Sequence, residues 1–222
     1  MLGTAADGGC APAGARVDHC SLVLVVHSIC VFSGSSPGAQ RCYTDAAREL
    51  GTQLAARGIR LVYGGASIGL MGVLADTVLA AGGQVVGVIP RQLLAREVAH
   101  RGLPDLRITA SMHERKALMA ELSDGFIALP GGFGTLEEFA EVLTWSQLGL
   151  QRKPCGLLNV AGFYRPLLAF FDHAVAERFV PAQHRELVLA ETDAGRLLDA
   201  LRAWTPPTPD KAWLTRVDPL LP

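Results

Sequence analysis

From residue 28 to residue 204, short β-rich runs alternate with longer segments of helical spacing, and Gly-rich turns stand where three of the runs end. The runs are 29–32, 60–63, 84–89, 106–109, 125–129, 155–160 and 186–190. Tyr43, Ala47, Leu50 and Leu54 recur at helical spacing ahead of a stop at Gly58. Met71, Leu74, Val78 and Leu79 do so ahead of Gly82-Gly83. Helical patterns also cover 112–123, 136–148, 163–179 and 194–204, while 90–105 reads as irregular between Pro90 and Pro104. The alternation predicts an α/β fold, a doubly wound and mostly parallel sheet with helices on both faces. Such sheets take ligands beyond the carboxyl ends of their strands. The three turns, 34–38, 64–69 and 131–134, all fall at those ends.

The expected organisation is a single domain over 28–204, a poorly ordered extension over 1–27 and a Pro-rich tail over 205–222. With 222 residues, half of them hydrophobic, the chain suffices for one such domain. A net charge of -1 argues against a strongly basic nucleic-acid binder. Charged residues make up 18%, against a usual ~25%, which suits a chain that hides surface in an oligomer. The longest apolar run, 21–32, is interrupted by His27 and is short of the ~20 residues a bilayer span needs. Asp7 and Asp18 spoil the basic start of a signal peptide. Cys10, Cys20, Cys30, Cys42 and Cys155 are odd in number and form no CxxC. They read as free thiols of a reducing cytoplasm, with no membrane or nucleic-acid partner.

Pro130–Glu138 is the strongest local signal. A glycine turn from strand into helix exposes N–H groups at the positive end of the helix dipole, which suits phosphate. Three glycines in four positions exceed what a helix start needs, although Thr135 as N-cap with Glu138 three residues on also fits a capping box. Glu137, Glu138 and Glu141 make that helix start acidic. In Ser111-Met112-His113-Glu114-Arg115-Lys116, Ser111 and Glu114 form a second capping box. Arg115 and Lys116 near that helix start oppose the dipole, a cost that an anion such as a substrate phosphate would offset.

Several chemistries are weaker or excluded. Gly65-Ala66-Ser67-Ile68-Gly69 fits the GxSxG elbow of serine hydrolases, with His173 or His184 as the base, but no acid is evident. Ala117 rules out HExxH, Leu70 rules out a Walker A lysine, and no G-x-G-x-x-G opens the first helix. The six histidines have no metal-ligand spacing, and the three tryptophans read as packing residues.

The string Pro130-Gly131-Gly132-Phe133-Gly134-Thr135-Leu136-Glu137-Glu138 matches a PGGxGTxxE motif, and Met112-His113-Glu114-Arg115-Lys116 precedes it at the expected separation. Together they resemble the LOG ("lonely guy") family of cytokinin riboside 5′-monophosphate phosphoribohydrolases, over about four-fifths of the chain. Many members once carried a lysine decarboxylase label. The resemblance implies a Rossmann-like fold, a homodimer or larger homo-oligomer, and cleavage of a nucleoside 5′-monophosphate to free base and ribose 5-phosphate, with no cofactor and no metal. By position it makes Arg115 and Glu138 the catalytic pair. Glu97, Lys116, Gly132, Phe133, Gly134, Thr135 and Thr144 fall at substrate contacts, and Gly34, Ser35 and Ser36 on the first-strand loop face the nucleotide.

Breaking the C1′–N bond builds positive charge on the ribose. An ionised Glu138 stabilises that charge and orients water, the 132–135 amides hold phosphate, and Arg115 either anchors an anion or orients Glu138. Two other readings stand beside this one: a nucleotide-binding module without catalysis, and a hydrolase using Ser67.

Overall fold

The computed structural model describes residues 25–94 and 99–206, and everything below concerns these. The extension before residue 25, the tail after residue 206 and Glu97 lie outside them.

The strands are β1 (Ser28–Phe32), β2 (Arg60–Tyr63), β3 (Val85–Pro90), β4 (Asp105–Thr109), β5 (Gly125–Ala128), β6 (Cys155–Leu158) and β7 (Val188–Glu191). The helices are α1 (Arg41–Ala56), α2 (Gly69–Ala80), α3 (Met112–Glu121), α4 (Phe133–Gln147), α5 (Arg165–Ala176), α6 (Ala182–Arg185) and α7 (Ala194–Ala203). The strands form one sheet in the order β4-β3-β2-β1-β5-β6-β7, and every pairing is parallel. The sequence therefore winds outward from β1 to β4, returns through α3, and winds outward again from β5 to β7.

Strand alternation separates two cores. Ile29, Val31, Leu61, Tyr63, Ile127 and Leu129 face Leu50 and Leu54 of α1, Leu74 and Val78 of α2 and Leu197 of α7. Cys30, Phe32, Val62, Val86, Val88 and Phe126 face Met119 of α3, Phe139 and Val142 of α4 and the apolar side of α5. Both faces are covered, which is why β1, β3, β5 and β6 are buried along their whole length and read as unbroken apolar runs.

The differences from the sequence expectation sit at element ends. Helix α4 begins at Phe133, three residues before the apolar pattern. Its N-cap is Gly132, so the capping box proposed for Thr135 and Glu138 does not form. Strand β6 stops at Leu158, where the Asn159 side chain accepts a hydrogen bond from Tyr164 N and a 3-10 turn over Val160–Gly162 follows. Helix α5 ends at Ala176, and Arg178 takes a left-handed backbone (φ 65) that ends the run predicted to reach residue 179. A short helix, α6, holds His184 in a stretch to which the sequence pattern assigns no element.

Candidate functional site

The point where the winding direction reverses lies between β1 and β5, and there the chain opens a crevice. Three glycine turns from distant parts of the sequence close on one another at its floor. Gly34 N donates to Pro130 O (3.1 Å), and Leu70 N donates to Gly34 O (3.0 Å). A side chain at Gly69 (φ +60) would collide with the Ser35 backbone, and one at Gly131 with Thr135. These contacts require glycine; Gly132 and Gly134 face open space. A cavity of about 300 Å³ lies over the first and third turns, lined by Gly34, Ser35, Ser36, Gly131 and Gly132 together with Tyr43, Leu70 and Phe163. That volume is at the lower end of the range for small-molecule pockets, about 300–1,000 Å³.

Neither α2 nor α4 has a side-chain cap at its start, whereas Ser111 caps α3 and Asp193 caps α7. The first amides of α4, at Phe133, Gly134 and Thr135, are thus the donors a helix leaves unpaired, at the positive end of its dipole. Thr135 itself is buried under Gly131, and Phe133 projects almost wholly into solvent, 94% exposed.

Arg115 and Glu138 meet on the α3–α4 side of this floor. Arg115 Nη1 donates to Glu138 Oε1 at 2.7 Å, and both side chains are nearly buried, 8% and 12% exposed. Arg115 Nε donates to Val88 O at 3.1 Å, and its guanidinium lies against Gly64, where a Cβ would collide with it. The arginine is thus held at two edges and against a glycine. Burial raises the Glu138 carboxyl above its ordinary range, and Arg115 beside it works in the opposite direction.

Lys116 points to the same helix pair and is held there by two carboxylates. Its Nζ reaches Glu137 Oε1 at 2.5 Å and Glu141 Oε1 at 3.0 Å. Because α4 starts at Phe133, these carboxylates fall beyond its first turn, where none is acidic. Carboxylates of the protein itself thus face the cations at the start of α3. The Ser111 and Glu114 box does form: Ser111 Oγ accepts from Glu114 N (3.1 Å), and Glu114 Oε2 accepts from Ala110 N (2.7 Å). Thr144 is exposed, two turns past Glu138, and gives its hydroxyl to Ala140 O, so the structure does not bring it to the Arg115–Glu138 pair.

Sequence reasoning missed Tyr43, Leu70 and Phe163 in the cavity wall. Tyr43 and Phe163 stack edge to face with centroids 5.8 Å apart. Phe163 follows the carboxyl end of β6, and that position was its only signal. The Ser67 alternative finds no support. His173 and His184 lie on α5 and α6, in the half of the sheet away from β2. His100, whose backbone touches the same turn, directs Nε2 to Asp76, and its Nδ1 meets no partner among the described residues. No group of three or more His, Cys, Asp or Glu able to hold a metal occurs among the described residues.

A family described as "Possible lysine decarboxylase" matches residues 71–201. A rice (Oryza sativa subsp. japonica) protein named as a probable cytokinin riboside 5′-monophosphate phosphoribohydrolase is 54% identical over 178 residues, 80% of this chain and 78% of its own. An Arabidopsis thaliana cytokinin riboside 5′-monophosphate phosphoribohydrolase is 51% identical over 80% of this chain and 84% of its own. Among solved structures, the molybdenum cofactor carrier protein of Chlamydomonas reinhardtii superposes with a TM-score of 0.60 at 25% identity, covering 78% of this chain and 94% of the carrier. Decarboxylation through a Schiff base needs a suitably placed lysine. Lys116 is tied to two carboxylates, and Lys153 precedes β6 at the amino edge of the sheet, bonded to Ala120 O. Neither lines the cavity described above, and Lys211 lies outside the described residues.

Proposed function

The chain belongs to the LOG family of cytokinin riboside 5′-monophosphate phosphoribohydrolases, and from that premise we propose that it hydrolyses the N-glycosidic bond of a nucleoside 5′-monophosphate, releasing free base and ribose 5-phosphate. The observation that carries the reading is the buried Arg115–Glu138 pair beside an uncapped helix start at the sheet's switch point.

In this reading the 5′-phosphate sits on the free amides of Phe133, Gly134 and Thr135, with the first-strand loop at Gly34, Ser35 and Ser36 closing over it. The open space at Gly132 and Gly134 is where it approaches. Glu138, ionised, stabilises the cationic ribose as the bond to the base breaks and orients the attacking water. Of the two roles open to Arg115, the geometry favours orienting Glu138, since its Nη1 and Nε are both spent inside the protein. Lys116 acts at one remove, holding Glu137 and Glu141. Contacts from Glu97 and Thr144 rest on the family resemblance alone.

The test is release of base from AMP and from isopentenyladenosine 5′-monophosphate, each beside its unphosphorylated riboside. We expect base from the monophosphates and at least about a hundredfold less from the ribosides, because phosphate binding energy is spent at the reacting bond. Tight binding of both nucleotides without release of base would overturn the reading in favour of a binding module.

We further propose that the protein works as a homodimer or a larger homo-oligomer. Helix α5 buries no residue completely, and Phe170 (62%), Phe179 (84%) and Leu150 (72%) are exposed on and around the α4–α5 side of the sheet. Light scattering should give at least twice the 23.5 kDa chain mass, and a monomer would refute it. No helix among the described residues is long and apolar enough to cross a membrane. The free thiols Cys30, Cys42 and Cys155 fit a reducing, cytoplasmic setting.

A further inference from the structure

His100 and Asp76 form a polar contact that the proposed chemistry does not use. His100 Nε2 lies 2.8 Å from Asp76 Oδ1 on α2, with the imidazole nearly buried and the carboxylate largely exposed. The same residue's backbone N donates to Gly65 O at 2.9 Å, and its neighbour Ala99 bridges Ala66. One residue therefore fastens the second glycine turn from the chain side and fastens itself to α2 through its ring.

That turn is the wall behind Arg115. Gly64 abuts the guanidinium so closely that a Cβ would collide with Nη2. A Cβ at Gly65 would lie 3.3 Å from Val88 N, and Val88 O is the acceptor for Arg115 Nε. A shift of the turn moves both the surface against which Arg115 rests and the strand that accepts its hydrogen bond. Arg115 in turn sets Glu138.

We propose that His100 and Asp76 are positioning residues: they lock the Gly64-Gly65 turn between α2 and β3 and so fix the Arg115 guanidinium against Glu138. The pair touches neither the cavity nor the reacting atoms. Its effect falls on turnover rather than on nucleotide binding, which is assigned to the opposite side of the first and third turns. The proposal rests on the phosphoribohydrolase reading for its kinetic consequence, but its structural consequence is readable without activity.

The experiment compares Asp76→Ala, Asp76→Leu and His100→Gln with Asp199→Ala, which removes the Arg57–Asp199 ion pair elsewhere on the surface. Asp76→Ala should lower kcat about tenfold with KM within about twofold, since small misplacements at a reacting centre act on turnover. His100→Gln, whose amide still donates to Asp76, should recover most of the wild-type kcat, and Asp199→Ala should retain all of it. In ¹⁵N spectra the Arg115 Nε–Hε signal should move or broaden in Asp76→Ala and stay in place in Asp199→Ala. If Asp76→Ala fails to fold, Asp76→Leu, close in shape to Asp and without an acceptor, carries the same two readouts. An unmoved Arg115 signal with unchanged kcat would overturn the proposal. A wild type that releases no base would overturn the functional reading instead, while the Arg115 signal would still report the coupling.

Discussion

Glu138→Gln is expected to cut release of base from a nucleoside 5′-monophosphate by about a thousandfold while leaving the fold intact, within the range typical for a lost general acid–base group. Glutamine keeps the acceptor for Arg115 Nη1 and the volume of the site; it loses only the charge that faces the developing cation. Stability should change little at neutral pH. Burial raises the carboxyl in the folded state, so the charged form is the disfavoured one there. What this group adds to stability is present below its unfolded pKa, about 4.3, and fades as pH rises through the folded value. Glutamine, uncharged at every pH, does not undergo that loss. It does leave the buried Arg115 without a counter-charge, which works the other way, and the two effects offset. The melting temperature at pH 7 should therefore stay within about 3 °C of wild type, equivalent to about 1 kcal/mol for a chain of this size. The acid limb of wild-type kcat should fall above the ordinary carboxylate range. Arg115→Gln should move the Glu138 titration, followed by ¹³C NMR, to higher pH, because the neighbour that lowers it is gone. Near-normal turnover in Glu138→Gln would remove Glu138 from the chemistry.

Alanine at Gly131 and alanine at the adjacent Gly132 should fail in opposite ways. A methyl at Gly131 collides with Thr135 and sits 2.9 Å from Gly34 N, so the first and third turns must part. Overpacking of this kind costs about 1–3 kcal/mol, and the melting temperature should fall by about 3–10 °C. At Gly132 a methyl meets nothing within 4 Å. Gly132→Ala should melt as wild type does, yet raise KM for the monophosphate by about tenfold or more, because the space it fills is the approach to the helix amides. An unchanged KM in Gly132→Ala would move the phosphate away from α4.

Most of the fold was legible because its inner strands are buried on both faces and three of them run into glycine turns. The run 60–63 matched β2 residue for residue. The boundaries that moved did so for tertiary reasons that leave no periodicity. Asn159 turns the chain after β6 by bonding Tyr164 N, and α4 starts behind Gly132, without a capping side chain, where the apolar repeat is silent. Within the site, Arg115 and Glu138 could be named from their motifs and the structure brings them to 2.7 Å. Their environment could not be named. Val88 O, Gly64 and the Glu137–Lys116–Glu141 cluster come from chain segments whose adjacency exists only after the sheet has formed.

The sheet order also sets a timetable for biosynthesis. Strand β1 gains β2 as a neighbour early, but its other neighbour, β5, begins only at Gly125. Between Tyr63 and Gly125 the ribosome adds about sixty residues, roughly 3–12 s at about 5–20 residues per second. For that interval the emerging half-sheet presents the edge of β1, apolar from Ile29 to Phe32 and with its N–H and C=O groups on that side unpaired, as a template for other chains. The nascent first half is thus the aggregation-prone species. A stalled or truncated product ending before β5 would be a client for chaperones, not a small nucleotide-binding protein.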